Sequence, residues 1–514
     1  MEKNKNLFLD VEENPKKVSE WLLFAFQHIL AMLVACITVP MLTGLPIAAT
    51  IVAAGIGTII YIFLTKQKSP VFLSSSFAYI SPMISALSIG LIGKAGGMNY
   101  MAVIIGMVLV GVVYTIVALI ISKVGTAWIN KLLPPVIVGP IIMVIGLGLA
   151  GSAVSNITAA SGSGSGYNLI ALLCGLIALF ATAIASHYGE GKMLGLIPFV
   201  VGMGCGYLSA VLFTLIGYKA CNNEYFNIVN FSALENIFNN FNFASIFNYN
   251  LFVPNHAESF IFLRFDEIAK FDWATIVQVI LLFVPVSLVT MCEHIGDHKN
   301  LGNIIGRDLL NEEPGMSRTL AGDGIATAVS GVICGAANTT YGENVAVIGT
   351  TKIASVKVVL LAAIFSIIVG FFTPFTALLQ TIPQCVCGGV SLVLYGFIAA
   401  SGIKMVIEEK IDFGKSKNIF IASVILVAGI GGLTLKLFPE TDALGLTTYG
   451  MTITSIAVAM ILGILLNVIL KDKKEETPVN EAEAEAVEAL EVKEEDTKEE
   501  STETLEDTKE EKEE

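Results

Sequence analysis

Charge is scarce in this chain. Only 14% of its 514 residues are Asp, Glu, Lys or Arg, whereas 54% are hydrophobic. A soluble globular domain carries about 25% charged residues, so that class is excluded. The eight cysteines are scattered, mostly in apolar segments where Cys acts as a small hydrophobe. Cys385 and Cys387 form the one close pair, without a histidine beside them. That pattern argues against a disulfide framework and against a metal site. A secretory signal pattern is missing too: residues 1–17 are polar and charged, so the first apolar segment reads as a true span. The Gly/Ser run 161–166 has no Lys-Ser or Lys-Thr after it and is no phosphate loop. With neither a metal cluster nor a nucleophile–base pair, an enzyme is not expected.

The formal charge of −14 misleads. Residues 471–514 hold 20 acids and 7 bases, so the remaining chain is nearly neutral. This Glu/Lys/Thr-rich tail cannot bury enough apolar surface to offset chain entropy and is read as disordered. No nucleic-acid partner is expected; the lipid bilayer is.

A helical span needs about 20 mostly apolar residues. Such runs fall at 20–43, 46–65, 71–91, 99–122, 133–152, 167–186, 194–216, 274–297, 318–335, 337–351, 354–379, 384–405, 418–435 and 447–470. With the N-terminus inside, the inner loops collect Lys66, Lys68, Lys123, Lys131, Lys192, Lys299, Arg307, Arg318, Lys352, Lys404, Lys410, Lys415, Lys417, Lys471, Lys473 and Lys474. The outer loops keep Lys94, Lys219, Arg264, Lys270 and Lys436. That excess satisfies the positive-inside rule. The expected class is an all-α membrane protein of 14 segments with both termini cytoplasmic. Its expected parts are a cytoplasmic N-terminus (1–19), a first repeat (20–216), an extracellular loop (217–273), a second repeat (274–470) and the acidic tail (471–514).

Segments three and ten are interrupted by polar runs, Ser74-Ser75-Ser76-Phe77-Ala78-Tyr79 and Asn338-Thr339-Thr340-Tyr341-Gly342-Glu343-Asn344. Hydrocarbon tolerates irregular backbone only where protein buries it or a cavity needs it. His28 precedes Phe77 by the same interval that separates Glu293 from Gly342, and an offset of 265 relates both pairs. Seven segments per half is an odd number, so the halves are expected to be inverted. Broken segments in matching places of inverted repeats mark a substrate site at the bilayer midplane.

An ionisable residue inside a span costs about 2.5–3.5 kcal/mol or more, so each needs a reason. The candidates are His28, Glu293, His294, Asp297 and Glu343. Carboxylates at 293 and 343 accept N–H donors. Backbone N–H groups at the starts of the two half-helices, near Phe77 and Gly342, donate to the carbonyls of a uracil-like ring. Together these form a complementary edge for a neutral cyclic imide. The alternative for each Glu is a residue capping its own helix end. Asp297 is either a proton-carrying neighbour of Glu293, one turn on, or the start of a solvated loop. His294 is either a relay or a packing residue, and His28 either orients the site or bonds a carbonyl. Tyr341, Tyr79 and Tyr395 adjoin the breaks or a glycine-rich span, where they stack on a planar ring or simply pack. Asn344 is placed to order the second break.

At these positions the chain resembles the nucleobase–ascorbate transporter family, the uracil/xanthine permeases, over nearly all of 17–470. The resemblance rests on Phe26-Gln27-His28, Ser75-Ser76-Phe77-Ala78, Glu293-His294-Ile295-Gly296 and the run Asn338–Asn344 continuing to Thr351-Lys352. The Thr-Tyr-Gly-Glu run is similar to the bacterial uracil-transporting branch, since purine-type members carry Gln at the position of Glu343. The resemblance implies import of uracil by proton symport in the cell membrane, with no cofactor besides the proton. It implies that Glu293, Glu343 and the backbones of Phe77 and Gly342 bind the base. Tyr341, Tyr395 and Ala35 would flank it, and His28, Asp297, His294 and Asn344 would support the site or carry the proton. A core (spans 1–4 and 8–11) would move against a gate (spans 5–7 and 12–14), with homodimers through the gate. Asp297 stands where some members have His, and Ala346 where the signature has Gly. A purine permease and an anion exchanger on a similar fold are the rival expectations.

Overall fold

The computed structural model describes residues 7–89, 99–159, 167–189, 195, 197–239, 246–248, 251, 273–441 and 447–470. The acidic tail and about half of the 217–273 loop therefore lie outside the described residues. Residues Met1–Leu466 form one unit and Asn467–Glu514 a second.

Within the first unit, the helices are α1 (Val18–Thr43), α2 (Ile47–Leu64), α3 (Ile80–Leu87), α4 (Tyr100–Val124), α5 (Ala127–Leu132), α6 (Pro135–Gly148), α7 (Ala150–Ile157), α8 (Leu169–Tyr188) and α9 (Pro198–Phe213). A π-helical turn, Thr214–Ala220, extends α9, and α10 (Ser232–Asn239) follows. Then come α11 (Trp273–Ile305), α12 (Gly315–Val332), α13 (Gly342–Thr351), α14 (Val356–Phe371), α15 (Thr373–Gln380), α16 (Gln384–Glu408) and α17 (Ser416–Ile430). A final helix, α18, spans Ser455–Ile469. Eight helical stretches among the described residues are long and apolar enough to cross a membrane, and three more are apolar but shorter.

Local chemistry sets the ends. The Glu20 carboxylate accepts the backbone N–H groups of Lys16 and Lys17 ahead of α1. Gly44, at φ +82°, closes α1 in the left-handed region. Asn99 and Asn168 accept first-turn amides of α4 and α8.

Two groups of helices pack mainly among themselves. In one, α12 lies along α4 and α2, α14 along α2 and α1, and α11 along α4. In the other, α16 lies along α6, α7 and α8, α9 along α8, and α17 along α6. Small residues allow the backbones to close up. A Cβ added to Gly111 of α4 would stand 2.7 Å from the Gly324 carbonyl of α12, and one on Gly389 of α16 would stand 2.0 Å from that of Gly175 in α8.

Within the first group lies the short antiparallel pair β1 (Leu73–Ser75) and β2 (Asn338–Thr340), with Leu73 opposite Thr340 and Ser75 opposite Asn338. Its exposed backbone groups are met by side chains from neighbouring helices, as low-dielectric surroundings require. The Thr58 hydroxyl oxygen accepts the Leu73 N–H at 2.9 Å, and that of Thr50 accepts the Ala336 N–H at 3.2 Å. Thr327 donates to the Asn338 carbonyl at 2.6 Å, and the Asn338 amide to the Ala53 carbonyl at 3.1 Å.

The expected start of the last segment at 447 is corrected. Thr447–Ile453 is strand β4, paired antiparallel with β3 (Leu435–Thr441), and the helix begins only at Ser455. Alternating Thr and apolar residues there favour an extended strand, and Thr454 accepts the Ala457 N–H at the helix start. The fold is therefore mostly α with two small β pairs. Near the N-terminus, the chain docks on the start of α14: the Ala354 N–H bonds the Leu9 carbonyl at 2.8 Å, and Arg307 meets Asp10 at 3.2 Å.

Candidate functional site

The two strands end at the same cavity. It is lined by Ser75, Ser76, Phe77 and Ala78 from the first break and Thr339, Thr340, Tyr341, Gly342 and Glu343 from the second. Glu293 of α11 completes the polar side, and Ile142, Ile145 and Ile398 form an apolar wall. Thus one space brings together five residues predicted from sequence: Glu293, Glu343, Phe77, Gly342 and Tyr341. Helices α3 and α13 start just beyond the strands, so two helix N-termini gather at this end.

Glu293 and Glu343 are half-buried, and Gly342 is exposed toward the opening. A Cβ added at 342 would meet Asp297 Oδ1 in ordinary contact at 3.6 Å. Asp297 is not a cavity-lining residue; its Oδ2 accepts from the Thr340 hydroxyl at 2.8 Å and so braces β2. His28 donates from Nδ1 to Asn344 Oδ1 at 2.9 Å, tying α1 to α13 behind Glu343. Tyr395 also stands behind the lining, edge-on to Phe77 at 6.0 Å between ring centroids. Ala35 is wholly buried in α1 and does not line the cavity. His294 points elsewhere, to Asp323 at 2.8 Å and Thr319 at 3.1 Å.

Sequence reasoning passed over Asp323, His298 and Thr290. Asp323 and His298 are fully buried, and Thr290 receives the Tyr114 hydroxyl at 2.8 Å and meets that of Tyr79 at 2.9 Å. Asp323 carried a usable signal, a carboxyl inside segment 318–335. The isoleucine wall carried none, because apolar residues in a span look alike whichever way they face.

Apolar helices in two groups, with a polar cavity held between two interrupted segments, define a multi-pass membrane transport protein. The family model described as "Permease family", that of the xanthine/uracil permeases, matches residues 19–438. The chain belongs to this permease family. It is 40% identical to the uracil permease of Bacillus caldolyticus over 463 residues, covering 90% of this chain and 94% of that one. The uracil permease of Bacillus subtilis (strain 168) is 35% identical, with 92% and 97% covered. The fold is shared with the transmembrane domain of the cyanobacterial bicarbonate transporter BicA. There the TM-score is 0.54 at 12% identity, covering 89% of this chain and 99% of that one.

Proposed function

We propose that the protein imports uracil together with protons across the cell membrane by alternating access. The observation that carries this reading is the meeting of Glu293 and Glu343 in one cavity with the backbones of Phe77 and Gly342, in a chain so similar to uracil permeases. Carboxylate oxygens accept the ring N–H groups of an imide, and first-turn amides donate to its carbonyls. Tyr341 lies beside the ring, with Tyr395 and Ala35 behind. His28 and Asn344 hold the second break, and Asp297 accepts the proton with or before the substrate. His294 belongs to the proton-handling side of the same helix.

Fourteen segments in two inverted repeats fit this reading. The ladder pairs Ser74 with Thr339 at its centre, and these positions are 265 apart, the offset that relates His28 to Glu293 and Phe77 to Gly342. A two-fold axis through that pair generates both breaks. The two helix groups match a core of spans 1–4 and 8–11 and a gate of spans 5–7 and 12–14. The homodimer forms through the gate, and both termini are cytoplasmic.

Uptake of labelled uracil into vesicles holding the purified protein tests the proposal. An inward proton gradient is expected to drive accumulation, and excess xanthine to compete poorly. Strong competition by xanthine assigns a purine permease instead, and gradient-independent equilibration removes proton coupling. An anion exchanger is disfavoured because neither a lysine nor an arginine lines the cavity among the described residues.

A further inference from the structure

Behind the cavity, α11, α12 and α2 share a polar cluster, of which the transport reading uses His294 alone. His294 Nδ1 lies 2.8 Å from Asp323 Oδ2, and its Nε2 lies 3.1 Å from Thr319 Oγ1. The His294 and His298 rings stack with centroids 4.0 Å apart. His298 Nε2 lies 2.6 Å from the Tyr61 hydroxyl, which also meets Ser69 Oγ at 2.8 Å. His294, His298, Thr319, Asp323, Tyr61 and Ser69 are all 0% exposed.

Counting donors and acceptors fixes most of the hydrogens. A carbonyl only accepts. Thr319 therefore gives its hydroxyl proton to the Met316 carbonyl, 3.1 Å away, and receives the Nε2–H of His294. His298 gives its Nδ1–H to the His294 carbonyl at 2.8 Å, which leaves Nε2 to accept from Tyr61. Tyr61 in turn accepts from Ser69, and His298 is neutral. Between His294 Nδ1 and Asp323 Oδ2, two facing lone pairs would repel and two hydrogens would collide. One hydrogen fits.

We propose that His294 and Asp323 hold a single proton between them as a second proton-binding site, whose occupancy fastens α11 to α12 and so fixes Glu293 in the cavity. The role given to Glu293 rests on the transport reading; the fastening does not. Uptake of one proton from water takes the pair from one negative charge to neutral. Without it a buried carboxylate faces a lone pair, and among the described residues His294 is the one basic side chain bonded to Asp323. The surroundings add negative charge or none. Glu293, Asp297 and neutral His298 face it from α11, and Tyr61 from α2. Tyr79 faces it from the first break and Tyr114 from α4. Beyond Asp297, the second break brings Glu343. The stability this proton confers is present at low pH and lost as pH rises.

The test is a pH titration of thermal unfolding and of uracil affinity for the purified full-length protein. In the wild type, both are expected to fall on the alkaline side. Asp323→Asn offers an amide hydrogen to His294 Nδ1 at every pH. It is expected to keep the acid-side affinity and to lose most of the alkaline decline in unfolding temperature, about a tenfold affinity gain over wild type per pH unit beyond the wild-type midpoint. An alkaline decline parallel to wild type, or a folded Asp323→Asn without uracil affinity at any pH, overturns the proposal. Thr319→Val serves if Asp323→Asn does not fold. It frees the His294 tautomer and is expected to move the alkaline midpoint to lower pH; an unmoved midpoint overturns the proposal equally. The unfolding titration needs no uracil, so a wild type that fails to bind uracil sinks the substrate assignment and leaves the proton site to be judged by itself.

Discussion

A carboxylate accepts hydrogen bonds through both oxygens, whereas the isosteric amide replaces one acceptor by a donor. At Glu343, which lines the cavity beside Gly342, that change sets an N–H against the ring N–H of the substrate. Glu343→Gln is therefore expected to reduce uracil uptake about 5- to 150-fold, the equivalent of about 1–3 kcal/mol for one unsatisfied buried group; uptake at the wild-type rate would remove Glu343 from the binding set. One residue further, Asn344 is held by His28. His28→Ala releases that amide and lets the first turn of α13 shift, so it should raise the KM for uracil several-fold in uptake assays while the protein still reaches the membrane. An unchanged KM would make His28 a packing residue only. Glu293, Glu343 and His28 were legible in the sequence because charge and imidazole inside apolar runs demand a reason. Asp323 met the same criterion but stands close to the polar start of α12, Gly315-Met316-Ser317-Arg318, where it resembles a loop residue. Asp297 was left open between loop and site, and its bond to Thr340 could not be read from one strand of sequence alone.

Strands only three residues long have little stability alone. β1 and β2 persist because α2 and α12 supply hydroxyls and an amide pocket to their backbones. The polar runs announced that both segments were interrupted, but pairing between residues 265 apart depends on tertiary packing that no local pattern encodes. The β3–β4 pair was hidden for the opposite reason: its alternating residues merged with the apolar run that follows. Gly57 shows how tightly α2 clasps the second break, since an added Cβ would stand 2.4 Å from Asn338 Nδ2 and 3.1 Å from Ala326 Cβ. Gly57→Val should displace Asn338, lower stability by about 1–3 kcal/mol and weaken uracil uptake, with thermal unfolding and transport measured on one preparation; an unaffected unfolding temperature would show that the pocket yields. The loop after α2 is tied to the loop before α12 by Lys66 and Lys68, both bonded to Glu313. These two lysines hold the Glu313 carboxyl down at about 2, from an ordinary 4.5. Its folded-state value is depressed, so the contribution is complete above 4.5 and disappears as pH falls from 4.5 to about 2. The unfolding temperatures of wild type and Glu313→Gln should therefore differ by a constant amount near neutral pH and converge across that acid window. Divergence there would mean that the ion pairs do not form in solution.

Taken as a whole, the chain keeps nearly all its acidic excess beyond residue 470, while the membrane body is close to neutral. Charge therefore does not hold the two helix groups together, and few contacts cross between them. Among those that do is Lys299 at the end of α11, 3.1 Å from Glu409 just after α16. Both side chains are well exposed, at 62% and 41%. Such a surface pair is worth about 0–1 kcal/mol, too little to hold the groups in one arrangement, as a carrier that must open on both sides requires. On the proposed alternating-access reading, the pair marks two points that have to separate. Cysteines at 299 and 409, in a background with the exposed Cys205 and Cys221 changed to Ser, bring two thiols within reach of a short bifunctional reagent. Cross-linking is expected to arrest uracil uptake and reduction of the link to restore it, whereas either single cysteine treated alike should transport normally. Undiminished uptake through the cross-linked protein would show that α11 and α16 move as one body, and the division into a moving core and a gate would then have to be drawn elsewhere.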